Sequence, residues 1–285
     1  MGNQLHQSAH SKQKMKTNHS TLAFCLALLI GSILAGELFA RYVLGLGTPP
    51  LSEPHPTIEY QFQPDQDVLR FGNRFLTNDY SMRSPQFEKV KPSGQRRVMV
   101  FGDSVLNGGN LTDHQDLATT QLAERLVAGA EKTAVVGNVS AGSWGPGNWL
   151  GYATEYGFFG ADDVVLVISS HDVADNPTFA PLNPKTHPQA RPVSALIEGV
   201  TRYLPRYLPR CGDTGEQTAD RSESNSVAQR QHRNAIRQGT DDLRAFLALA
   251  KTEVPRVRVL LHPTRDELGG GNLKGSASSV RSLAS

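Results

Sequence analysis

The chain has 285 residues, 38% hydrophobic and 20% charged, with a formal net charge of +2. That length accommodates one membrane segment plus one globular domain with a core, and argues against two full catalytic domains. So small a charge, with no block of like-charged residues, argues against a nucleic-acid partner.

Residues 1–20 are polar and read as a disordered cytoplasmic arm, with Lys12, Lys14 and Lys16 near its end. Residues 21–44 follow as a transmembrane signal anchor. An apolar run from 21 to 36 is interrupted by Glu37 and resumes at Leu38-Phe39-Ala40 and Tyr42-Val43-Leu44. A spanning helix needs roughly 20 residues, so Glu37 is expected at the far interface, where Arg41 one turn on can pair with it. Lysines before the run place the N-terminus in the cytoplasm and the rest of the chain outside, in the periplasm or the extracellular space. The alternative is a cleaved signal peptide with its cleavage site near Ala35 or Ala40, which exports the domain equally well. Cys25 lies within the apolar run and Cys211 in a polar stretch, so they are not expected to pair and do not define a redox compartment.

Residues 45–96 read as a linker, marked by Pro49, Pro50 and Pro54, and a lead-in segment that is irregular or β. The main domain is assigned to 97–268. Val98-Met99-Val100-Phe101 predicts a buried strand ending in Gly102-Asp103-Ser104. Thr112-Asp113-His114-Gln115 fits a capping box for a helix whose inner face carries Ala118, Leu122, Leu126 and Ala130. A second strand over 133–139, a helix over 148–159 and a third strand, Val164-Val165-Leu166-Val167-Ile168, come next. The unbroken apolar third run is what a parallel sheet covered on both faces requires. Residues 177–210 are proline-rich and read as irregular, and 206–226 as a disordered loop. A helix over 227–251, with Ile236, Leu243, Phe246 and Leu247 inward, leads to a fourth strand over 257–261. Residues 269–285 form a Ser/Ala/Gly-rich tail. Strands alternating with helices predict an α/β fold, a three-layer parallel sheet with helices on both faces in the flavodoxin-like manner, plus one N-terminal transmembrane helix.

In such sheets ligands bind beyond the carboxyl ends of the strands. Three strand ends here are polar: Gly102-Asp103-Ser104, then Asn138-Val139-Ser140-Ala141-Gly142, then Ser169-Ser170-His171-Asp172. Strand-Gly-Asp-Ser, a strand ending in Asn-x-Ser-x-Gly and a third ending in this turn together resemble the SGNH, or GDSL-type, hydrolase superfamily. The resemblance covers roughly residues 97–268. The lead-in, with Asn78 and Met82-Arg83, is similar to membrane-anchored members associated with exopolysaccharide modification.

The resemblance implies that Ser104 is a nucleophile and that Asp103 braces its loop. The oxyanion donors it implies are the Ser104 N–H, a glycine N–H assigned to Gly142 (with Gly145 also permitted by spacing) and a side chain at the third strand end. The family has Asn there and this chain has His171; a neutral imidazole also has one N–H to donate. Asn176 is a fallback donor and Asp172 is structural. Trp144 and Trp149 read as packing, with a sugar-binding wall as the alternative. No cofactor or metal is expected, because His171, His187 and His262 lack ligand-like spacing with Cys or Asp. The family's base, a histidine in an Asp-x-x-His element after the last strand, has no counterpart following His262-Pro263, and His262 is a poor substitute. The expected function is therefore an exported ester hydrolase or O-acyltransferase working on acyl groups of a carbohydrate or another small ester, truncated or inactive as it stands. The alternative is a non-catalytic, membrane-tethered carbohydrate-binding or polysaccharide-assembly protein.

Overall fold

The computed structural model describes residues 13–129, 133–207, 221–263 and the single positions Glu267, Val280 and Ser282. The chain forms two units: 1–47 with 192–208, and 48–191 with 209–285.

The first unit is built on helix α1 (Gln13–Leu38), which continues as a π-helical turn, Phe39–Val43. The stretch His19–Val43, 25 residues with a mean hydropathy of 2.2, is long and apolar enough to cross a membrane. The helix starts well before position 21, so the part of the supposed disordered arm from Gln13 onward is helical. Extending an existing helix costs far less than nucleating one, and Gln, Lys and Met are good helix formers. Cys25 is exposed on α1.

The second unit opens with two antiparallel hairpins, β1 (Ser52–His55) with β2 (Glu59–Phe62), and β3 (Asp67–Arg70) with β4 (Asn73–Leu76). The lead-in is thus β rather than irregular. Strand β5 (Gln95–Gly102) follows, then α2 (Ser104–Asn107), α3 (Ala118–Ala128), β6 (Thr133–Ser140), α4 (Pro146–Tyr156) and β7 (Asp163–Ile168). Next in the chain is α5 (Ala195–Glu198), part of the first unit, and after it α6 (Arg221–Glu253) and β8 (Arg256–Leu261). The four apolar runs of the sequence become one parallel sheet in the order β6-β5-β7-β8.

Side chains alternate across a strand, and the core follows that alternation. Val98, Val100 and Val136 pack with Leu106, Ala123, Leu126, Val165 and Val167. The intervening residues Met99, Phe101, Val139, Val164, Leu166 and Ile168 pack with Trp149 and Tyr152 of α4 and with Leu243, Phe246 and Leu247 of α6. Helix α4 has Pro146 at its first position, where no amide hydrogen is needed, and ends at Gly157 with φ +73°.

Several expectations need correcting. The cap at Asp113 serves a short 3-10 turn, accepting Gln115 N–H at 3.0 Å, while α3 begins only at Ala118, without a side-chain cap. That offset turns the face of α3: Ala123 and Leu126 meet the core, whereas Leu122 is 36% exposed. Ala130 lies outside the described residues. Residues 195–206 are helical turns rather than irregular chain. In the supposed loop 206–226, residues 221–226 belong to α6, and 208–220, with Cys211, lie outside the described residues. Val280, in the supposed tail, is buried in the larger core cluster; of the rest of 269–285 only Ser282 is described.

Candidate active site

Register decides what the strand ends share. Gly102 of β5 pairs with Ser140 of β6, so Ser104 and Gly142 each stand two residues beyond the same rung. Phe101 pairs with Leu166 of β7, which brings the His171 turn to the other side of β5.

Asp103 is buried and caps α2, its Oδ1 accepting Val105 N–H at 2.9 Å. Its Oδ2 accepts the Ser104 hydroxyl at 3.2 Å, and Ser104 itself is exposed. As the first residue of α2, Ser104 has an N–H with no partner inside the helix. The loop after it is held from below by Arg83, a buried residue whose guanidinium donates to the carbonyls of Asn107, Gly109 (2.6 Å) and Thr112 (2.6 Å). Burial pulls the Arg83 guanidinium down to about 10, so it stays charged at neutral pH. Asn107 ties this loop to β6 by donating to Ser140 O at 3.0 Å. Met82-Arg83 stood out in the sequence only as part of the lead-in; its hold on the loop after Ser104 depends on a tertiary contact.

On the β6 side, the Gly142 carbonyl accepts the hydroxyl of Tyr60. Burial, with Glu59 and Asp175 nearby, pushes the Tyr60 phenol upward, so it remains a donor. The two glycines left open by the sequence differ. The Gly145 N–H is taken by Asn148 Oδ1 at 2.9 Å. Gly145 has a packing reason of its own: a Cβ there would lie 2.6 Å from Asp172 O and closer still to Asp175 O. Gly239 of α6 is alike, with the Val173 carbonyl where its Cβ would be. The turn carrying His171 is thus closed in by backbone from two helices.

In that turn Asp172 is buried and accepts Ser169 N–H at 2.7 Å and Ser169 Oγ at 2.9 Å. His171 is exposed, with Nε2 3.0 Å from Asp172 Oδ1 and Nδ1 2.8 Å from Ser169 Oγ. Both ring nitrogens therefore face their own turn. Burial, reinforced by the Asp103 carboxylate, pushes Asp172 up to about 6 against the opposing pull of Ser169 and His171. Asp175 is raised for the same main reason. The fallback donor Asn176 gives its amide to Ala235 O of α6 at 2.9 Å.

Ligand-like spacing is missing from the sequence, yet the fold gathers Asp103, His171 and Asp172, with one potential ligand atom from each within 4.8 Å of the others. Each of the four carboxylate oxygens accepts a protein hydrogen bond, from Ser104 and Val105 at Asp103 and from Ser169 at Asp172. Trp144 and Trp149 are buried, their indole N–H groups donating to Tyr60 O (3.1 Å) and Gly102 O (2.9 Å); they pack and form no exposed wall. His262 is exposed at the end of β8, its N–H on Ile168 O at 2.8 Å. Beside the cluster, a cleft of about 350 Å³ is lined by Glu59, Tyr60, Ser143, Asp175, Asn176 and His187 among others.

No family model matches the chain, and no curated protein matches it. The functional reading accordingly rests on the arrangement of these residues.

Proposed function

We propose that this chain is a membrane-anchored, serine-dependent ester hydrolase or O-acyltransferase of the SGNH/GDSL type, acting on acyl groups of a carbohydrate outside the cytoplasm. The observation that carries the reading is Gly102-Asp103-Ser104 at the carboxyl end of an inner parallel strand, flanked by the Gly142 loop and the His171-Asp172 turn. In this reading the domain is a three-layer α/β/α sandwich, α1 is an uncleaved anchor, and the lysines before its apolar stretch keep the N-terminus in the cytoplasm.

Ser104 Oγ attacks the acyl carbonyl, and the resulting oxyanion is met by the N–H groups of Ser104 and Gly142. Collapse expels the sugar hydroxyl and leaves an acyl-serine, which water or a second hydroxyl then resolves. The cleft beside Ser143 and Asp175 receives the rest of the substrate. The serine proton needs a base. His171 stands one strand from Ser104 and His262 two strands away, and neighbouring strands are about 4.8 Å apart. His171 is thus the nearer imidazole by topology, and Asp172 holds it as an orienting carboxylate would.

A second reading, a tethered carbohydrate-binding or assembly protein, is favoured by one observation. Ser104 donates to Asp103, and His171 is turned toward Ser169 and Asp172, so neither ring nitrogen is seated on the serine. A fluorophosphonate probe separates the two. The full chain should be labelled and Ser104→Ala should not; His171→Ala should lose labelling more completely than His262→Ala. A folded chain labelled no more than Ser104→Ala would refute the catalytic reading and leave the binding one.

A further inference from the structure

In the first unit, Glu37 does more than pair with Arg41 at 2.8 Å. Its carboxylate also accepts Ser194 Oγ at 2.6 Å, Ala195 N–H at 3.0 Å and Leu196 N–H at 2.9 Å. Those are the first amides of the helical turns 195–206, which have no partner within the helix. Ser194 completes the cap by accepting Ile197 N–H at 3.1 Å. Gly36 leaves room for Leu196, whose Cδ2 would lie 3.3 Å from a Cβ at that position. Further along, Glu198 accepts Gly47 N–H at 2.7 Å and pairs with Arg202 at 3.3 Å. Ala40, Leu46, Ala195 and Glu198 are buried in this contact. The segment is therefore fastened to the last turns of α1.

Its opposite face is apolar and uncovered. Val193, Ile197, Val200, Leu204 and Tyr207 are all exposed, Ile197 at 58% and Tyr207 at 83%. Val193 and Tyr207 flank the helical turns, and within them Ile197, Val200 and Leu204 recur at three or four positions, which puts these three in one row. Leu34, Leu38, Phe39, Tyr42 and Val43 of the spanning stretch are exposed in the same unit. Glu37 lies about 27 Å along the helix from His19, close to the far edge of a hydrocarbon slab about 30 Å thick. The segment that Glu37 caps hence begins at the depth where acyl chains give way to headgroups. An amphipathic helix at that depth lies in the interface with its apolar row toward the chains.

We propose that residues 195–206 form an interfacial helix that rests the Ile197–Val200–Leu204 row in the outer headgroup–acyl boundary of the membrane that α1 crosses. The occupant of this row is lipid. Glu37, an acid within the spanning stretch, caps this helix and fixes it to the anchor. The inference rests on α1 spanning the membrane, and not on the chemistry of Ser104.

The test uses the full chain with Cys25 and Cys211 replaced by serine, reconstituted in phosphatidylcholine–phosphatidylglycerol vesicles. Single cysteines at Ile197, Val200, Leu204 and, as a control, Leu28 carry an environment-sensitive fluorophore. At the three row positions, emission should shift to the blue, with quenching stronger by shallow-doxyl than by deep-doxyl lipid and stronger by either than by iodide. At Leu28 deep-doxyl lipid should quench most. Quenching of the row by iodide but not by lipid, with Leu28 quenched by lipid, overturns the inference alone. Absence of lipid quenching at Leu28 overturns the spanning reading and the inference with it. Row labels shielded from both quenchers, or cross-linking between copies, would assign the row to protein and equally overturn it. Glu37→Gln should weaken the cap and reduce shallow-doxyl quenching at Val200 while leaving Leu28 unchanged; an unchanged Val200 signal would refute the role given to Glu37.

Discussion

Replacing Asp172 with asparagine should make the protein's stability less dependent on pH, in a direction set by burial. The Asp172 side chain is 1% exposed, and its carboxyl is pushed from 3.8 up to about 6, first by desolvation and then by the facing Asp103 carboxylate. Ser169 and His171 pull the other way without overcoming burial. Because the folded state holds this proton more tightly than the unfolded chain, the group's stabilising contribution is complete below 3.8 and lost as pH rises through about 6. The gap of about two units corresponds to roughly 3 kcal/mol. Asparagine keeps an oxygen for Ser169 N–H and carries no charge to desolvate. It should cost about 1 kcal/mol at acid pH through the weaker bond and regain that and more by neutral pH. Urea unfolding of the detergent-solubilised chain, followed through the buried Trp144 and Trp149, measures both proteins from about pH 4 to about pH 7.5. The stability of Asp172→Asn relative to wild type should rise by up to about 3 kcal/mol across that range. A difference that stays flat, or falls, refutes the argument that burial governs this carboxyl.

The same unfolding assay tests the packing of the His171 turn. Gly145→Ala should cost more than about 3 kcal/mol, because the new methyl meets the carbonyls of Asp172 and Asp175 and neither backbone can yield cheaply. Gly142→Ala should stay within about 0.5 kcal/mol, since the nearest atom to its Cβ, Tyr60 Oη, is 3.9 Å away; equal losses at the two glycines would refute the geometry. Arg83→Lys should lose about 2–4 kcal/mol, since one ammonium cannot reproduce a planar fork that reaches three carbonyls from a buried position. It should also speed amide exchange in residues 107–112, and unchanged exchange there would deny Arg83 its hold on the loop.

Much of the sheet was legible because its signals are local. The Val98–Phe101 and Val164–Ile168 runs, bounded by polar turns, mark β5 and β7 without reference to the rest of the chain. Pro146 and Gly157 mark the ends of α4, although the helix was expected to start two residues later. Leu243, Phe246 and Leu247 repeat at helical spacing and are buried as that spacing requires. The apolar stretch at the N-terminus announces its own length.

Other features were beyond a local reading. Strands β1 to β4 have four residues each, too few to show a period, and each exists by virtue of its hairpin partner. The helical turns 195–206 sit in a proline-rich stretch, and the acid that caps them is Glu37, more than 150 positions away. A one-turn offset after Asp113 decided which face of α3 met the core. Ser104, Gly142 and His171 were picked out individually because strand-end residues are recognisable in sequence. That Asp103, His171 and Asp172 gather at neighbouring strand ends, with His171 turned toward its own loop, was not legible. Proximity between strand ends comes from parallel register, and register is set by core packing across the whole sheet rather than by any neighbouring residues in the chain.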